Sequence, residues 1–119
     1  MAVVPVTDWL IDYEDAAEAL KGASRAWFGG TPVEKREQYL ACSPITYAEQ
    51  VQAPVLIIQG RHDTRVPPRQ VERYEAKLKA LGKPIEVHWY DAGHGTASTA
   101  QAIELMEHML RFVYRHLNA

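Results

Sequence analysis

Two runs of apolar residues in the middle of the chain have the pattern of strands in a parallel sheet. Residues 55–59, Val-Leu-Ile-Ile-Gln, are apolar almost without interruption, which is typical of a strand covered on both faces. Residues 85–90, Ile-Glu-Val-His-Trp-Tyr, form the second predicted strand. Between them, the pattern predicts a helix over residues 67–81. The Gly-Lys-Pro sequence at 82–84 ends this helix in the order expected at a C-terminus.

After the second strand, residues 97–117 are predicted to form a long amphipathic helix. Its apolar stripe recurs at helical spacing and consists of Ile103, Met106, Leu110, Val113 and Leu117. From residue 55 onward the order is therefore strand, helix, strand, helix. This order predicts an α/β fold with a parallel sheet and right-handed crossovers.

The N-terminal part of the chain is predicted to contribute one short strand and mostly helix. Residues 2–6, Ala-Val-Val-Pro-Val, favour a strand, although Pro5 cannot be fully paired in it. Residues 13–28 favour a single helix that ends at Gly29-Gly30. A second helix is predicted over residues 31–40, with Thr31 as its N-cap and Glu34 three positions later. Residues 41–54 are predicted to be a loop with one helical turn at most.

Composition and charge narrow the class of protein. The chain has 119 residues, of which 47% are hydrophobic and 24% charged, as in ordinary globular proteins. Its net charge of −2 predicts no general attraction to nucleic acid or to an anionic membrane. No apolar run is long enough to span a bilayer, and the N-terminus lacks the features of a signal peptide. With a single cysteine, Cys42, these features favour a cytoplasmic location.

Candidate chemistry lies just after the two predicted strands. Asp63 follows the first strand, and His94, flanked by Gly93 and Gly95, follows the second. In parallel α/β sheets, active sites form beyond the carboxyl ends of the strands. A carboxylate beside an imidazole selects its tautomer and stabilises its protonated form, as a general base requires. Taken singly, His94 fits equally well as an exposed loop histidine, and capping is the favoured interpretation of Asp63. Their equivalent positions after successive strands make these interpretations less favoured for the two together.

A metal site is the competing chemistry, because several possible ligands lie near these loops. They are His62, Asp63, His88, Asp91 and His94. Their spacing matches no common zinc pattern, and His88 lies inside a strand, so we expect no metal and no other cofactor. Cys42 lies in a loop and is predicted to be a packed or incidental thiol rather than a nucleophile.

Several motifs resemble the C-terminal half of the catalytic domain of the prolyl oligopeptidase family. They are Ser-Pro-Ile-Thr-Tyr-Ala-Glu-Gln-Val-Gln-Ala-Pro-Val-Leu-Ile-Ile-Gln-Gly at 43–60, the G-x-x-D-x-R-V-P pattern at 60–67 and Gly-His-Gly at 93–95. The family consists of α/β-hydrolase serine peptidases, including acylaminoacyl peptidases and dipeptidyl aminopeptidase-like enzymes. The resemblance implies that Asp63 and His94 are the acid and base of a catalytic triad. Their order agrees with that of α/β-hydrolases.

The resemblance also concerns Trp9, which matches the Thr-Asp-Trp sequence of the family at residues 7–9. It implies a role for Trp9 in an apolar wall of the substrate pocket. The competing and favoured interpretation is that Trp9, Trp27 and Phe28 pack in the core.

The third triad member, a serine on a G-x-S-x-G elbow, is absent from the sequence. The only serines are Ser24, Ser43 and Ser98, and none has flanking glycines. Residues 1–119 are therefore predicted to be a single partial α/β-hydrolase domain with about three strands flanked by helices. Residues 8–50 would be its helical excursion and residues 55–119 its strand-helix-strand-helix unit.

Two functions follow as expectations. The first is a segment of a serine peptidase or esterase, acting on peptide or acyl-ester substrates, that has at most residual activity alone. The second is a non-catalytic α/β module that self-associates. The strand at residues 2–6 would have one unpaired edge, which predicts a homo-oligomer joined near Val3 to Val6.

Overall fold

A computed structural model describes residues 1–118 and contains one three-stranded sheet. The strands are β1 (Ala2–Val3), β2 (Val55–Gly60) and β3 (Ile85–Tyr90), and β2 lies in the centre. All pairings are parallel: Ala2 lies opposite Ile57, and Val55 opposite Ile85. The predicted fold class, a short parallel sheet flanked by helices, is confirmed.

Five α-helices and one 3₁₀-helix surround the sheet within residues 1–118. The α-helices are α1 (Trp9–Asp15), α2 (Glu18–Phe28), α3 (Arg36–Ala41), α4 (Arg69–Ala80) and α5 (Thr99–Leu117). The 3₁₀-helix, Pro44–Gln50, lies in the segment predicted to be a loop with one helical turn.

The core has two layers, one on each face of β2. The α4 face contains Ala48, Ile57, Val71, Tyr74 and Leu78. The α5 face contains Leu56, Ile58, Tyr90, Leu105 and Phe112. Because successive residues of a strand point to opposite faces, the unbroken apolar run of β2 supplies both layers.

The prediction of one helix over residues 13–28 is wrong, because the structure has two helices there. Asp8 caps α1, and its side chain accepts hydrogen bonds from the backbone N–H groups of Leu10 and Ile11. The helix stops at Ala16, whose backbone is extended. Alanine does not break helices by itself. The end of α1 is instead tied to α4, since Arg69 binds the carboxylate of Asp15 at 2.8 Å.

The helix predicted over residues 31–40 begins later than expected. Thr31 and Glu34 do form reciprocal capping hydrogen bonds, with the Glu34 N–H donating to Thr31 Oγ1 at 3.3 Å. These bonds close a turn, however, and the helical backbone starts only at Arg36, after Lys35 with φ −123° and ψ 35°. The capping sequence is therefore used one turn upstream of the helix.

The strand predicted over residues 2–6 is also shorter than expected and ends at Val3. Val4 has φ 44°, a left-handed conformation that is strained for a β-branched residue, and it turns the chain away from the sheet. Gln70 of α4 holds the diverted segment, donating to the Pro5 carbonyl at 2.8 Å. The Thr7 hydroxyl in turn donates to the Gln70 carbonyl at 2.9 Å.

The apolar stripe predicted for the last helix does not face the core. The helix buries Leu105 and Phe112, whereas Ile103, Met106, Leu110 and Leu117 are each at least half exposed. This rotation places two polar residues of α5 beside β3: Glu104 lies 3.7 Å from His88, and Arg115 lies 3.4 Å from Glu86. The exposed stripe therefore lies away from the side of α5 that contacts β3. No helix within residues 1–118 is long and apolar enough to cross a membrane.

Candidate active site

The loops that follow β2 and β3 meet at one edge of the sheet, because the two strands are parallel neighbours. This arrangement brings together the two residues singled out from the sequence. The Nδ1 atom of His94 lies 3.0 Å from Oδ2 of Asp63, within hydrogen-bonding distance. The predicted Asp–His contact is therefore present in the folded chain.

Local hydrogen bonds hold the Asp63 carboxylate, whose side chain is fully buried. Its Oδ1 atom accepts from the backbone N–H groups of Arg65 and Val66, at 2.9 and 2.8 Å. Its Oδ2 atom accepts from the side-chain amide of Gln59 at 3.3 Å, beside His94. A carboxylate bound at both oxygens cannot rotate freely, so its direction towards His94 is set by the loop itself.

Close backbone packing brings the His94 loop to the Asp63 loop. The N–H of Arg61 donates to the carbonyl of Tyr90 at 3.0 Å, and the N–H of His62 donates to that of Ala92 at 3.1 Å. A Cβ atom on Gly60 would lie 1.9 Å from the carbonyl oxygen of Gly93. Only glycine permits this approach at position 60.

His94 has the geometry of a general base. With a carboxylate at Nδ1, the neutral ring carries its proton on that nitrogen, which leaves the lone pair on Nε2. The His94 side chain is 37% exposed. Its Nε2 atom makes no hydrogen bond within residues 1–118. An imidazole oriented in this way can accept a proton from a hydroxyl that approaches Nε2.

Two residues that support this pair were not recognised as functional from the sequence. Gln59 is fully buried at the end of β2 and orients the Asp63 carboxylate. Gly60 permits the contact between the loops. The signal for Gln59 was its polarity within an otherwise apolar strand, whereas glycine at a strand end is too common to mark a close approach.

None of the serines, all of which the structure describes, forms a hydrogen bond with His94. The Ser24 hydroxyl donates to the Leu20 carbonyl at 3.2 Å inside α2. The Ser43 hydroxyl donates to the Tyr39 carbonyl at 2.7 Å and accepts from the N–H of Trp9. Ser98 caps α5, accepting from the N–H of Gln101 at 3.2 Å. Each hydroxyl thus has a partner other than His94, and Ser24 also lines a cavity together with His94.

Comparison with known proteins identifies the family. The sequence profile of the prolyl oligopeptidase family matches residues 1–119. The chain belongs to the prolyl oligopeptidase family. It is 35% identical over 85 residues to the uncharacterized peptidase YtmA of Bacillus subtilis, covering 71% of this chain and 33% of YtmA. It is also 38% identical over 66 residues to the acylamino-acid-releasing enzyme of Rattus norvegicus, covering 56% of this chain and 9% of the enzyme.

Solved structures of this peptidase family share the fold. Acylaminoacyl peptidase from Pyrococcus horikoshii superposes with a TM-score of 0.80 at 26% identity, over 96% of this chain and 20% of that chain. A puromycin hydrolase superposes with a TM-score of 0.69 at 27% identity, over 79% of this chain and 14% of that chain. The present family member therefore spans a third or less of the length of these relatives.

Trp9 of this prolyl oligopeptidase family member lies beside the Asp–His pair. It lines a cavity of about 260 Å³ whose wall also includes His94. Its ring packs edge-to-face against Trp27 and Phe28, at centroid distances of 6.0 and 5.3 Å. Both interpretations of Trp9 thus have support, since it packs against aromatic rings and also faces the cavity. Trp27, by contrast, is 74% exposed, so its predicted place in the core is wrong.

The candidate metal ligands of this family member lie in separate pairs. His62 binds Asp91 at 2.8 Å on the surface, Asp63 binds His94, and His88 stacks on His108 at a centroid distance of 4.4 Å. Within residues 1–118, no group of three histidine, cysteine, aspartate or glutamate side chains is placed to hold a metal ion. Cys42, at the C-cap of α3, is an exposed free thiol and not the packed one that was the first alternative.

Proposed function

We propose that Asp63 and His94 are the acid and base of a Ser-Asp-His triad in a serine peptidase or esterase. The observation that carries this proposal is the 3.0 Å contact between Asp63 and His94 Nδ1, at the edge where β2 and β3 end. The comparisons support the class of enzyme, because the chain shares the fold and the sequence profile of serine peptidases. The roles of the two residues rest on the contact between them.

The proposed reaction uses the free Nε2 atom of His94. This atom takes the proton of a serine hydroxyl while the serine oxygen attacks the carbonyl carbon of a peptide or acyl ester. The protonated ring then gives the proton to the leaving amine or alcohol, and an acyl-enzyme remains. A water molecule then attacks the acyl carbon while His94 accepts a proton from it. The bond to the serine oxygen breaks, that oxygen takes the proton from His94, and the carboxylic acid is released. Asp63 stabilises the imidazolium ion at both stages.

The serine must come from outside the sequence given, because no G-x-S-x-G elbow occurs in it. The oxyanion hole of this fold uses the amide that follows the nucleophile and an amide from an earlier loop. We therefore expect at most residual hydrolysis by the chain alone. The substrate is expected to be a peptide or an acyl ester, and the location cytoplasmic.

The first test is the intact mass of the chain after incubation with a fluorophosphonate, which labels activated serines. We expect no adduct, because Ser24, Ser43 and Ser98 have structural partners. An adduct that disappears in His94→Ala would show that His94 activates one of these serines, and would contradict the expectation that the nucleophile comes from outside this sequence.

The second test supplies the missing serine. The chain is co-expressed with the serine-carrying segment that precedes the matched residues in a family member, and ester hydrolysis is measured. We expect activity that falls by on the order of a thousandfold or more in His94→Ala. The matched control is His62→Ala, which removes a nearby surface histidine paired with Asp91 and leaves activity unchanged. Equal loss in both variants, or none in His94→Ala, would contradict the proposal.

A second candidate function, self-association without catalysis, is supported by the exposed stripe of α5. Val3 lies on the same sheet face as the α5 layer, because it pairs with Ile58, and it is exposed too. The stripe is thus an exposed apolar surface of α5, and Val3 is a further exposed apolar residue, on the edge strand β1. Because β1 ends at Val3, the predicted Val3 to Val6 edge is shorter than expected, and α5 carries more exposed large apolar residues than this edge does.

Analytical ultracentrifugation at micromolar concentration tests this candidate. A dimer is expected for the native chain and a monomer for Leu110→Glu, which places a charge in the stripe. Arg111→Glu, next to it on the polar flank, is the matched control and should leave the mass unchanged. A native monomer would contradict self-association and leave this surface for the rest of a hydrolase domain.

A further inference from the structure

A second buried carboxylate, Asp12 of α1, lies near the Asp63–His94 pair. Asp12 is only 6% exposed, and its Oδ1 atom has no hydrogen-bond partner within residues 1–118. It lines the same cavity of about 260 Å³ as His94. A buried carboxylate without a partner is costly, so this group requires a ligand or a proton to be satisfied.

The surroundings of Asp12 favour a positive ligand. Burial and, to a smaller extent, the neighbouring carboxylates Asp15, Asp63 and Asp8 together raise its pKa to about 6. Carboxylates that oppose the ionisation of one another create a negative potential, which attracts a cation.

The basic side chains nearby leave this potential largely uncompensated. Arg65 lines the cavity, but no ion pair joins it to Asp12 among the described residues. Arg69 is engaged elsewhere, with Glu14 and Asp15 at 2.8 Å. His94 carries no charge when its ring is neutral, and its Nδ1 is held by Asp63. A bound cation would therefore be the main positive partner of Asp12.

Aromatic rings form the apolar part of the same cavity. Trp9 and Trp27 both line it and meet edge-to-face, with interplanar angle 84°. Tryptophan rings attract cations through their faces and also cover aliphatic stems. The volume is suited to one side chain of a peptide or to one terminal residue.

We propose that this cavity binds a cationic group of the substrate and that Asp12 determines this specificity. The role of that group in catalysis rests on the proposed function, because His94 on the cavity wall would act at the bond beside the bound residue. The cation is an ammonium or guanidinium, from a lysine or arginine side chain or from a free amino terminus. A neutral substrate of the same shape would leave Asp12 unpaired and bind more weakly.

The test measures binding to the chain itself and needs no nucleophile. Tryptophan fluorescence, reported by Trp9 and Trp27 in the cavity wall, is titrated at pH 7.5 with N-acetyl-arginine amide. N-acetyl-citrulline amide, a neutral ligand of nearly the same shape, is the matched ligand. Leucine amide and N-acetyl-leucine amide form a second pair, which differs only in the free amino terminus.

We expect the cationic member of at least one pair to bind on the order of tenfold more tightly than its neutral match. The pair that shows the difference identifies the source of the cation. In Asp12→Asn the preference should disappear, while the affinity for the neutral ligand stays within about twofold. Asp15→Asn, which removes a nearby carboxylate that Arg69 already binds, should keep the preference. Circular dichroism confirms that both variants are folded.

Three results would overturn the proposal: no binding by any cationic ligand, equal binding within both pairs, or a preference that survives Asp12→Asn. The pH adds a further check, because protonation of Asp12 near pH 6 should reduce the difference between the native chain and Asp12→Asn at pH 5. These results are independent of the fluorophosphonate and co-expression tests. Loss of cation binding with His94-dependent hydrolysis intact would remove this inference alone.

Discussion

The loop after β2 and the helix α1 each bury one carboxylate beside the same cavity, and they treat it differently. In the loop, Asp63 receives two backbone N–H bonds, the amide of Gln59 and the ring of His94. In the helix, the Oδ1 atom of Asp12 has no partner within the part of the chain that the structure describes. One carboxylate is thus held in place by its own loop, and the other is left open towards the cavity.

The difference arises from the local backbone. A loop can turn its N–H groups towards a side chain, as residues 65 and 66 do for Asp63. In the interior of a helix, each N–H is already bonded to a carbonyl one turn earlier, as the Asp12 N–H is to Asp8. A helical carboxylate can therefore be buried without local donors, and only a tertiary partner or a ligand can satisfy it. The comparison indicates that a loop can fix a buried carboxylate with its own backbone, whereas a helix can leave one open to a partner from elsewhere.

Among substitutions that separate the two carboxylates, the largest effect is expected from Asp63→Asn in the co-expressed enzyme. An asparagine can keep the backbone bonds of residues 65 and 66, but its amide cannot stabilise the imidazolium ion and can favour the wrong tautomer. We expect ester hydrolysis to fall by roughly 10⁴-fold with little change in KM. Nitrogen-15 NMR of the His94 ring in the chain alone checks the tautomer independently of catalysis. An unchanged tautomer and unchanged rate would show that Asp63 is only a loop-capping residue.

The next effect is expected from Gly60→Ala, which disturbs the loop without changing either carboxylate. The added methyl would meet the Gly93 carbonyl, so the His94 loop must move. We expect the free energy of unfolding to fall by about 2–4 kcal/mol, as measured by urea denaturation. Gly22→Ala in the interior of α2 is the matched control and should raise it by about 0.5–1 kcal/mol, since alanine favours the helix. Equal responses would contradict the close packing of the two loops.

A smaller effect, an increase in the free energy of unfolding, is expected from Asp12→Asn. Because the pKa of Asp12 is raised to about 6 in the folded state, the native protein binds more protons than the unfolded chain between about pH 4 and 6. Its stability therefore falls as pH rises through this range. Asp12→Asn should remove the fall and be more stable by about 2 kcal/mol at pH 7.5, with little difference at pH 4. Urea denaturation at both pH values measures this, and a destabilised variant at pH 7.5 would contradict it.

The smallest effect is expected from Asp15→Asn, three residues from Asp12 on the same helix. Its hydrogen bond with Arg69 lowers the pKa of Asp15, so the contact stabilises the fold at neutral pH and is lost as the carboxylate is protonated in acid. We expect a loss of about 0.5 kcal/mol at pH 7.5, because the pair is partly exposed, and none at low pH. The two substitutions on α1 should thus have opposite signs at neutral pH. If both substitutions changed the free energy of unfolding in the same direction, the ion pair with Arg69 would not be what distinguishes Asp15 from Asp12.

The amino-acid sequence by itself determined β2, α4, β3 and the placement of Asp63 and His94. An unbroken apolar run such as residues 55–59 needs cover on both faces, and a parallel partner then brings the two following loops to one edge. This reasoning uses patterns within a few residues of each other. It therefore located the candidate acid and base before any contact between them was known.

Tertiary structure alone decided the features that depend on distant residues. The chain that turns away at Val4 is held by Gln70, and the end of α1 is bound by Arg69. The helix α5 is rotated so that it buries Leu105 and Phe112. The burial of Asp12 also depends on distant residues. Its position in an acidic helical segment would fit a solvent-exposed residue equally well, so the sequence does not predict that it is buried. Periodicity shows which residues share a face of a helix, but it cannot show which face the rest of the protein covers.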